Sequence, residues 1–121
     1  MTVTTEAVVV GGGVMGTSIL FNLVARGVKA PVLLERDTLG SGSTGRSSGA
    51  VRMHYSTAVN ADLAWQSART FKNWGDVVGG GDPAFVETGY MVFVPADAVD
   101  GLKHNIAIQQ SVGVNTSIVS R

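Results

Sequence analysis

Val8-Val9-Val10-Gly11-Gly12-Gly13-Val14-Met15-Gly16 is the stretch whose reading decides the fold. A β-branched apolar run meets a glycine cluster with the spacing G-x-G-x-x-G at Gly11, Gly13 and Gly16. Gly11 lets a buried strand turn sharply. Gly13 has no Cβ, so backbone can approach a pyrophosphate. Gly16 lets the following helix pack close to the strand. Free N–H groups at the start of that helix, with the helix dipole behind them, favour the negative phosphates. Glycine clusters are common in loops, so the motif depends on its context: strand before, helix after, acid further on.

The flanking residues supply that context. Ala7–Val10 is a wholly apolar run of the kind found in a central parallel strand covered on both faces. Residues Met15 to Arg26 predict a helix, with Ile19, Leu20, Leu23 and Val24 in one stripe and Gly27 as the C-terminal glycine cap. Pro31 to Glu35 predicts the second strand, with proline tolerated at its first position. Glu35 lies 19 residues beyond Gly16. At the end of the second strand of a βαβ unit, an acid points at the ribose hydroxyls of an adenosine, and it disfavours a 2′-phosphate. An ordinary surface acid is the alternative for Glu35 alone; the glycine spacing favours the ribose reading.

Composition sets outer bounds. The 121 residues are 45% hydrophobic and 15% charged, with zero formal net charge, which describes at most one ordinary core-rich globular domain. No charge asymmetry argues for nucleic acid or an acidic membrane surface. With no cysteine, intrachain disulfides and thiolate chemistry are excluded, and no metal-ligand pattern is read. Residues 7–25 are mostly apolar, but four glycines, Thr17, Ser18 and Asn22 interrupt them and no basic segment precedes them, so a membrane span is not expected. Without a targeting signal the expected location is cytoplasmic. The leader at residues 1–5 is polar.

Beyond the second strand comes Gly40-Ser41-Gly42-Ser43-Thr44-Gly45-Arg46-Ser47-Ser48-Gly49. Backbone N–H groups, hydroxyls and a guanidinium suit a second approach to a long dinucleotide. A solvated glycine-serine linker is the alternative, but Ala50-Val51-Arg52-Met53 follows directly, as after an ordered turn. Ser56 to Trp74 predicts a helix with Val59, Leu63, Phe71 and Trp74 on one face and Ala64 and Ala68 aiding its packing. Gly79–Pro83 predicts a turn, Phe85–Pro95 a strand or hairpin, Ala98–Val112 a helix with Leu102, Ile106, Gln109 and Val112 at helical spacing, and Val114–Val119 a final strand.

These residues resemble the D-amino-acid oxidase superfamily of flavoproteins, on its sarcosine oxidase and dimethylglycine oxidase/dehydrogenase branch. The resemblance is carried by G-G-G-V-M-G at 11–16, L-L-E-R at 33–36 and G-S-T-G-R-S-S-G-A-V-R at 42–52, followed by the helix through Trp74 and F-V-E-T-G-Y-M-V-F. It implies an α/β fold: the FAD/NAD(P)-binding, Rossmann-like βαβ start with an inserted antiparallel strand region, incomplete in this length. Residues 1–121 would form the N-terminal part of an FAD-binding domain. About 1–56 would be the βαβ core, and about 57–121 a helix, strand or hairpin, and helix leading into the substrate domain. The implied reaction is oxidation of a C–N bond in an amine or N-methyl amino acid. A hydride or its equivalent passes to flavin N5, the imine hydrolyses, and electrons leave to oxygen or an acceptor protein.

The resemblance also assigns residues. Gly11, Gly13, Val14, Met15 and Gly16 match the pyrophosphate turn, and Glu35 with Arg36 the ribose end. Ser43, Thr44, Arg46, Ser47 and Ser48 match the segment beside the cofactor. Arg52 matches a family arginine near the flavin ring, where positive charge favours the reduced, anionic flavin; a structural ion pair is the other reading. Arg46 stands where dimethylglycine-type relatives carry a flavin-linking histidine, so the FAD is expected to be non-covalent. His54 and Tyr55 stand near the position of a second, substrate-gripping arginine. His54 is therefore a candidate active-site group or a merely packed residue. Family members are several times longer, so this length implies a dependence on the rest of the polypeptide or a complementary chain, and no turnover alone. An NAD-binding dehydrogenase domain, or a non-catalytic module, remains open at this point.

Overall fold

The computed structural model describes residues 4–119. The first three residues of the polar leader and the last two residues lie outside that range. The chain divides into two compact units, Met1–Ala50 and Val51–Arg121.

The first unit is a β-α-β crossover: β1 (Val8–Val10), α1 (Val14–Ala25) and β2 (Val32–Leu34). The strands pair in parallel, Val8 with Val32, Val9 with Leu33 and Val10 with Leu34. A parallel pair requires a crossover, and α1 supplies it. Val9 is buried, while Val8 and Val10 are 52% and 81% exposed. The two-sided coverage expected for this run is therefore realised on one face only among the described residues. α1 turns Gly16, Leu20 and Leu23 inward, whereas Ile19 and Val24 are exposed. The covered stripe follows the spacing i, i+4, i+7 from Gly16, because the glycine lets α1 sit against Val9. Gly27 ends the helix at φ +84°, where its N–H donates to the Val24 carbonyl and the next N–H, of Val28, reaches Leu23. Thr5 is tied in: its hydroxyl donates to the carbonyls of Ala7 and Ala30 at 2.9 and 2.6 Å.

The second unit is helical. α2 (Ala58–Lys72), the short α3 (Trp74–Val78), a 3₁₀ turn at Ala96–Ala98 and α4 (Val99–Ser111) follow in order. α2 packs against α4. Ala61 and Ala68 are the buried residues of α2, and Ile106 and Gln109 those of α4. The expected α2 face needs correction: Val59 and Leu63 are 70% and 59% exposed. The small alanines are buried in α2 instead. Phe71 stacks on Trp74 and on Phe85 at centroid distances of 5.8 and 5.6 Å, so the aromatic end of α2 does pack. Gln109 is 1% exposed; its amide donates to the Tyr55 carbonyl at 3.3 Å, which satisfies a polar group deep in the unit.

Among the described residues, neither 85–95 nor 114–119 forms a strand. The expected strand or hairpin and the expected final strand lack a hydrogen-bonded neighbour here, and alternation of side chains cannot make a ladder without one. The 83–95 segment is held by side chains instead, through the Phe85 stack and a 2.7 Å Lys72–Glu87 ion pair.

Candidate functional site

Three pieces of the first unit converge on the glycine turn. β1 ends at Val10, and Gly11 turns the chain at φ +104°, a conformation that disfavours any side chain. The Gly11 N–H donates to the Leu34 carbonyl at 2.8 Å, which fixes the turn to the end of β2. A Cβ on Gly16 would collide with the Gly11 carbonyl oxygen, so only glycine fits where α1 crosses the turn. On Gly13 a Cβ would meet the Thr44 hydroxyl oxygen at 3.1 Å.

Glu35 sits at the end of β2 with its carboxylate against the turn. Oε2 accepts the Gly12 N–H at 2.6 Å and Oε1 accepts the Asp37 N–H at 2.9 Å. The Gly12 N–H is the main cause, and the Asp37 N–H the next, that hold the Glu35 carboxyl below its ordinary value of 4.5. The group is therefore an anion at neutral pH.

The 40–49 stretch is a series of tight turns. Gly45 N–H donates to Gly40, Arg46 N–H to Ser43 and Ser47 N–H to Thr44. Two bonds pin it to the glycine turn: Gly40 N–H donates to the Gly12 carbonyl at 2.9 Å, and the Thr44 hydroxyl accepts the Val14 N–H at 3.0 Å. This is an ordered loop, as its direct continuation into Ala50–Met53 suggested, and its side chains are exposed. Ser47 Oγ accepts the Gly49 N–H at 3.2 Å. The side chains of Arg36, Ser43, Arg46 and Ser48 are exposed.

Val14 and Met15 open α1 and are exposed. Among the described residues, the N–H groups of Gly13, Met15 and Gly16 have no protein acceptor. Peptide donors at a helix start, a glycine turn that backbone can approach, a threonine hydroxyl and the Glu35 carboxylate, 23 residues from Gly12, are thereby tied together at one end of the strand pair. Such a set fits a dinucleotide: donors for a diphosphate, and an anion for neutral ribose hydroxyls.

The second unit carries the remaining candidates. The Arg52 guanidinium lies over the Tyr90 ring, 5.9 Å from its centroid, with Nη1 3.5 Å from the phenol oxygen. The His54 ring is tilted against the same tyrosine at 6.1 Å. Arg52 and His54 thus share one aromatic neighbour, Tyr90, which sequence reasoning did not single out. Leu39 was also missed, and Gly12, Gly40 and Gly45 were read as parts of their glycine-rich stretches without individual roles. The signal for Gly12 was present, since it is the middle of three consecutive glycines.

Comparison with known proteins identifies the family. Residues 6–121 match the family model described as DAO, FAD dependent oxidoreductase. The chain is 29% identical to FAD-dependent oxidoreductase domain-containing protein 1 of Xenopus laevis, over 94% of this chain and 25% of that protein. It is 34% identical to 4-methylaminobutanoate oxidase (formaldehyde-forming) of Paenarthrobacter nicotinovorans, over 92% of this chain and 14% of the relative. Against human mitochondrial sarcosine dehydrogenase it is 26% identical, over 97% of this chain and 13% of the relative. The chain therefore spans a quarter or less of the length of these curated relatives. Among solved structures, L-proline dehydrogenase from P. horikoshii superposes with a TM-score of 0.85 at 30% identity, covering 99% of this chain and 31% of that one. The two-stranded parallel sheet is consistent with the incomplete Rossmann-like start expected of the chain. The chain belongs to the DAO family of FAD-dependent oxidoreductases.

Proposed function

We propose that residues 1–50 bind the ADP portion of FAD in an enzyme that oxidises the C–N bond of an amine or N-methyl amino acid. The observation that carries this reading is the joint fixation of the Gly11–Gly16 turn by Glu35 and Thr44. In it, the N–H groups of Gly13, Met15 and Gly16 face the diphosphate, and Glu35 takes the adenosine ribose hydroxyls. Ser43, Arg46, Ser47 and Ser48 line the flank of the cofactor. Bound FAD supplies the two-electron acceptor for the amine. By the family resemblance, Arg52 is the arginine that supplies positive charge near the flavin ring and His54 a further candidate; within their own unit both side chains neighbour Tyr90. With Arg46 in the loop and no histidine there, the cofactor is held non-covalently. Within the whole protein, residues 1–121 are the N-terminal part of the FAD-binding domain. About 1–56 form its cofactor core, and the remainder leads toward the substrate domain.

Two of the relatives named above are, by their names, a sarcosine dehydrogenase and a methylaminobutanoate oxidase. Both names point to the secondary-amine class. The test is anaerobic mixing of the flavin-loaded, full-length protein with N-methyl amino acids and other amines. Bleaching of the visible flavin band by at least one of them supports the reading. A protein that takes up NAD and not FAD refutes it.

A further inference from the structure

The Gly12 peptide is held from both sides. Its N–H donates to Glu35 Oε2 at 2.6 Å, and its carbonyl accepts the Gly40 N–H at 2.9 Å. The residue is buried, and a Cβ there would meet Leu39 Cδ2 at 2.6 Å and the Glu35 side chain at 3.1 Å. The other Glu35 oxygen takes the Asp37 N–H at 2.9 Å, at the start of the loop that carries Thr44. One carboxylate thus joins the glycine turn to the loop that caps it. An ionised carboxylate only accepts, with about four lone-pair sites on two oxygens. Two are used here by backbone, which leaves capacity for ribose hydroxyls.

From this geometry we infer that Glu35 is a positioning residue for the diphosphate as well as a ribose ligand: it sets the Gly12 peptide, and through it the N–H groups that meet the phosphates. The inference rests on the proposed adenosine-binding role of this unit. A charge-assisted hydrogen bond is about twice as strong as a neutral one. Its loss would let the turn sample other conformations and would weaken any ligand that uses the turn, whether or not that ligand has a ribose hydroxyl. A Glu35 that acts only at the ribose makes the opposite statement: a ligand without those hydroxyls would not sense the substitution.

The two are separated by calorimetric titration of flavin-free, full-length protein with ADP, 2′-deoxy-ADP and 2′,3′-dideoxy-ADP. Wild type is compared with Glu35→Ala and Glu35→Gln. The expected result in Glu35→Ala is a loss of about tenfold in affinity for 2′,3′-dideoxy-ADP, and a larger loss for ADP, which also forfeits its ribose contact. Glu35→Gln, whose amide has one acceptor oxygen for two N–H groups, recovers part of it. Should Glu35→Ala not fold, Glu35→Gln carries the test, because it too must weaken dideoxy-ADP. Unchanged dideoxy-ADP affinity in the variants, with weakened ADP, overturns the inference and leaves the ribose role standing. Failure of the wild type to bind any of the three overturns the adenosine-binding reading itself.

Discussion

Substituting Gly16 by alanine puts a methyl group where α1 crosses the glycine turn. The new Cβ would overlap the Gly11 carbonyl oxygen, with the Gly11 carbonyl carbon at 3.1 Å and Val9 Cγ1 at 3.5 Å. The atoms met first belong to backbone, so no rotamer change relieves the overlap. Overpacking of a fixed site costs about 1–3 kcal/mol, and rigid backbone puts this case at the upper end. Alanine in a helix returns about 1 kcal/mol relative to glycine. The net expectation is a loss of about 2 kcal/mol, which is about 30-fold in an equilibrium constant. Part of that loss falls on cofactor binding, because moving α1 displaces the Met15 and Gly16 N–H groups. The assay is paired: urea unfolding of the full-length protein, and the flavin-to-protein ratio after gel filtration. Gly42→Ala is the control, since a Cβ there meets nothing within 4 Å. Gly16→Ala should unfold at lower urea and retain less flavin, with Gly42→Ala like wild type. A Gly16→Ala protein indistinguishable from wild type in both readouts would refute the close-approach argument.

Other outcomes follow from the same contacts. Thr44→Val keeps shape but leaves the Val14 N–H without its acceptor, at a cost of about 1 kcal/mol; Thr44→Ser should retain wild-type flavin affinity where Val lowers it, as titration with FAD would show. Glu35 has a folded pKa below its ordinary value of 4.5. Its stabilising contribution is therefore complete above that value and is lost as pH falls through the lowered folded pKa. Flavin release measured against pH should show an acid limb that Glu35→Gln flattens. The Lys72–Glu87 pair has side-chain exposures of 34% and 67%, so Glu87→Gln should cost under about 1 kcal/mol and less at high salt, as chemical unfolding at two ionic strengths would report.

How far the sequence could be read depended on how local the determining physics was. The strand, turn and helix around Gly11–Gly16 were legible because Gly11 answers a positive φ and Gly16 a close approach to the Gly11 carbonyl, both demands made within a few residues. Gly27 and Gly113 were legible as helix ends for the same reason, with φ at +84° and +88°. Glu35 was legible by spacing, but its bond to the Gly12 N–H was not, since it depends on the pitch of a crossover. The face of α2 was misread because Val59 and Leu63 are the larger apolar groups, whereas the residues buried in α2 are Ala61 and Ala68. Residues 85–94 have strand-like composition, yet a strand is a property of two segments, and no second one lies beside them among the described residues. Tyr90 escaped notice because its relation to Arg52 and His54 spans more than 30 positions and has no motif.

The central claim is that the glycine turn, Glu35 and the Thr44 loop hold FAD without a covalent bond. The most direct measurement is acid precipitation of the purified full-length protein, followed by identification of the nucleotide and its amount per chain. The account predicts one FAD per chain, released into the supernatant. Flavin that stays with the pellet would contradict non-covalent binding. A protein that carries no flavin, and takes up none when FAD is added, would contradict the claim as a whole.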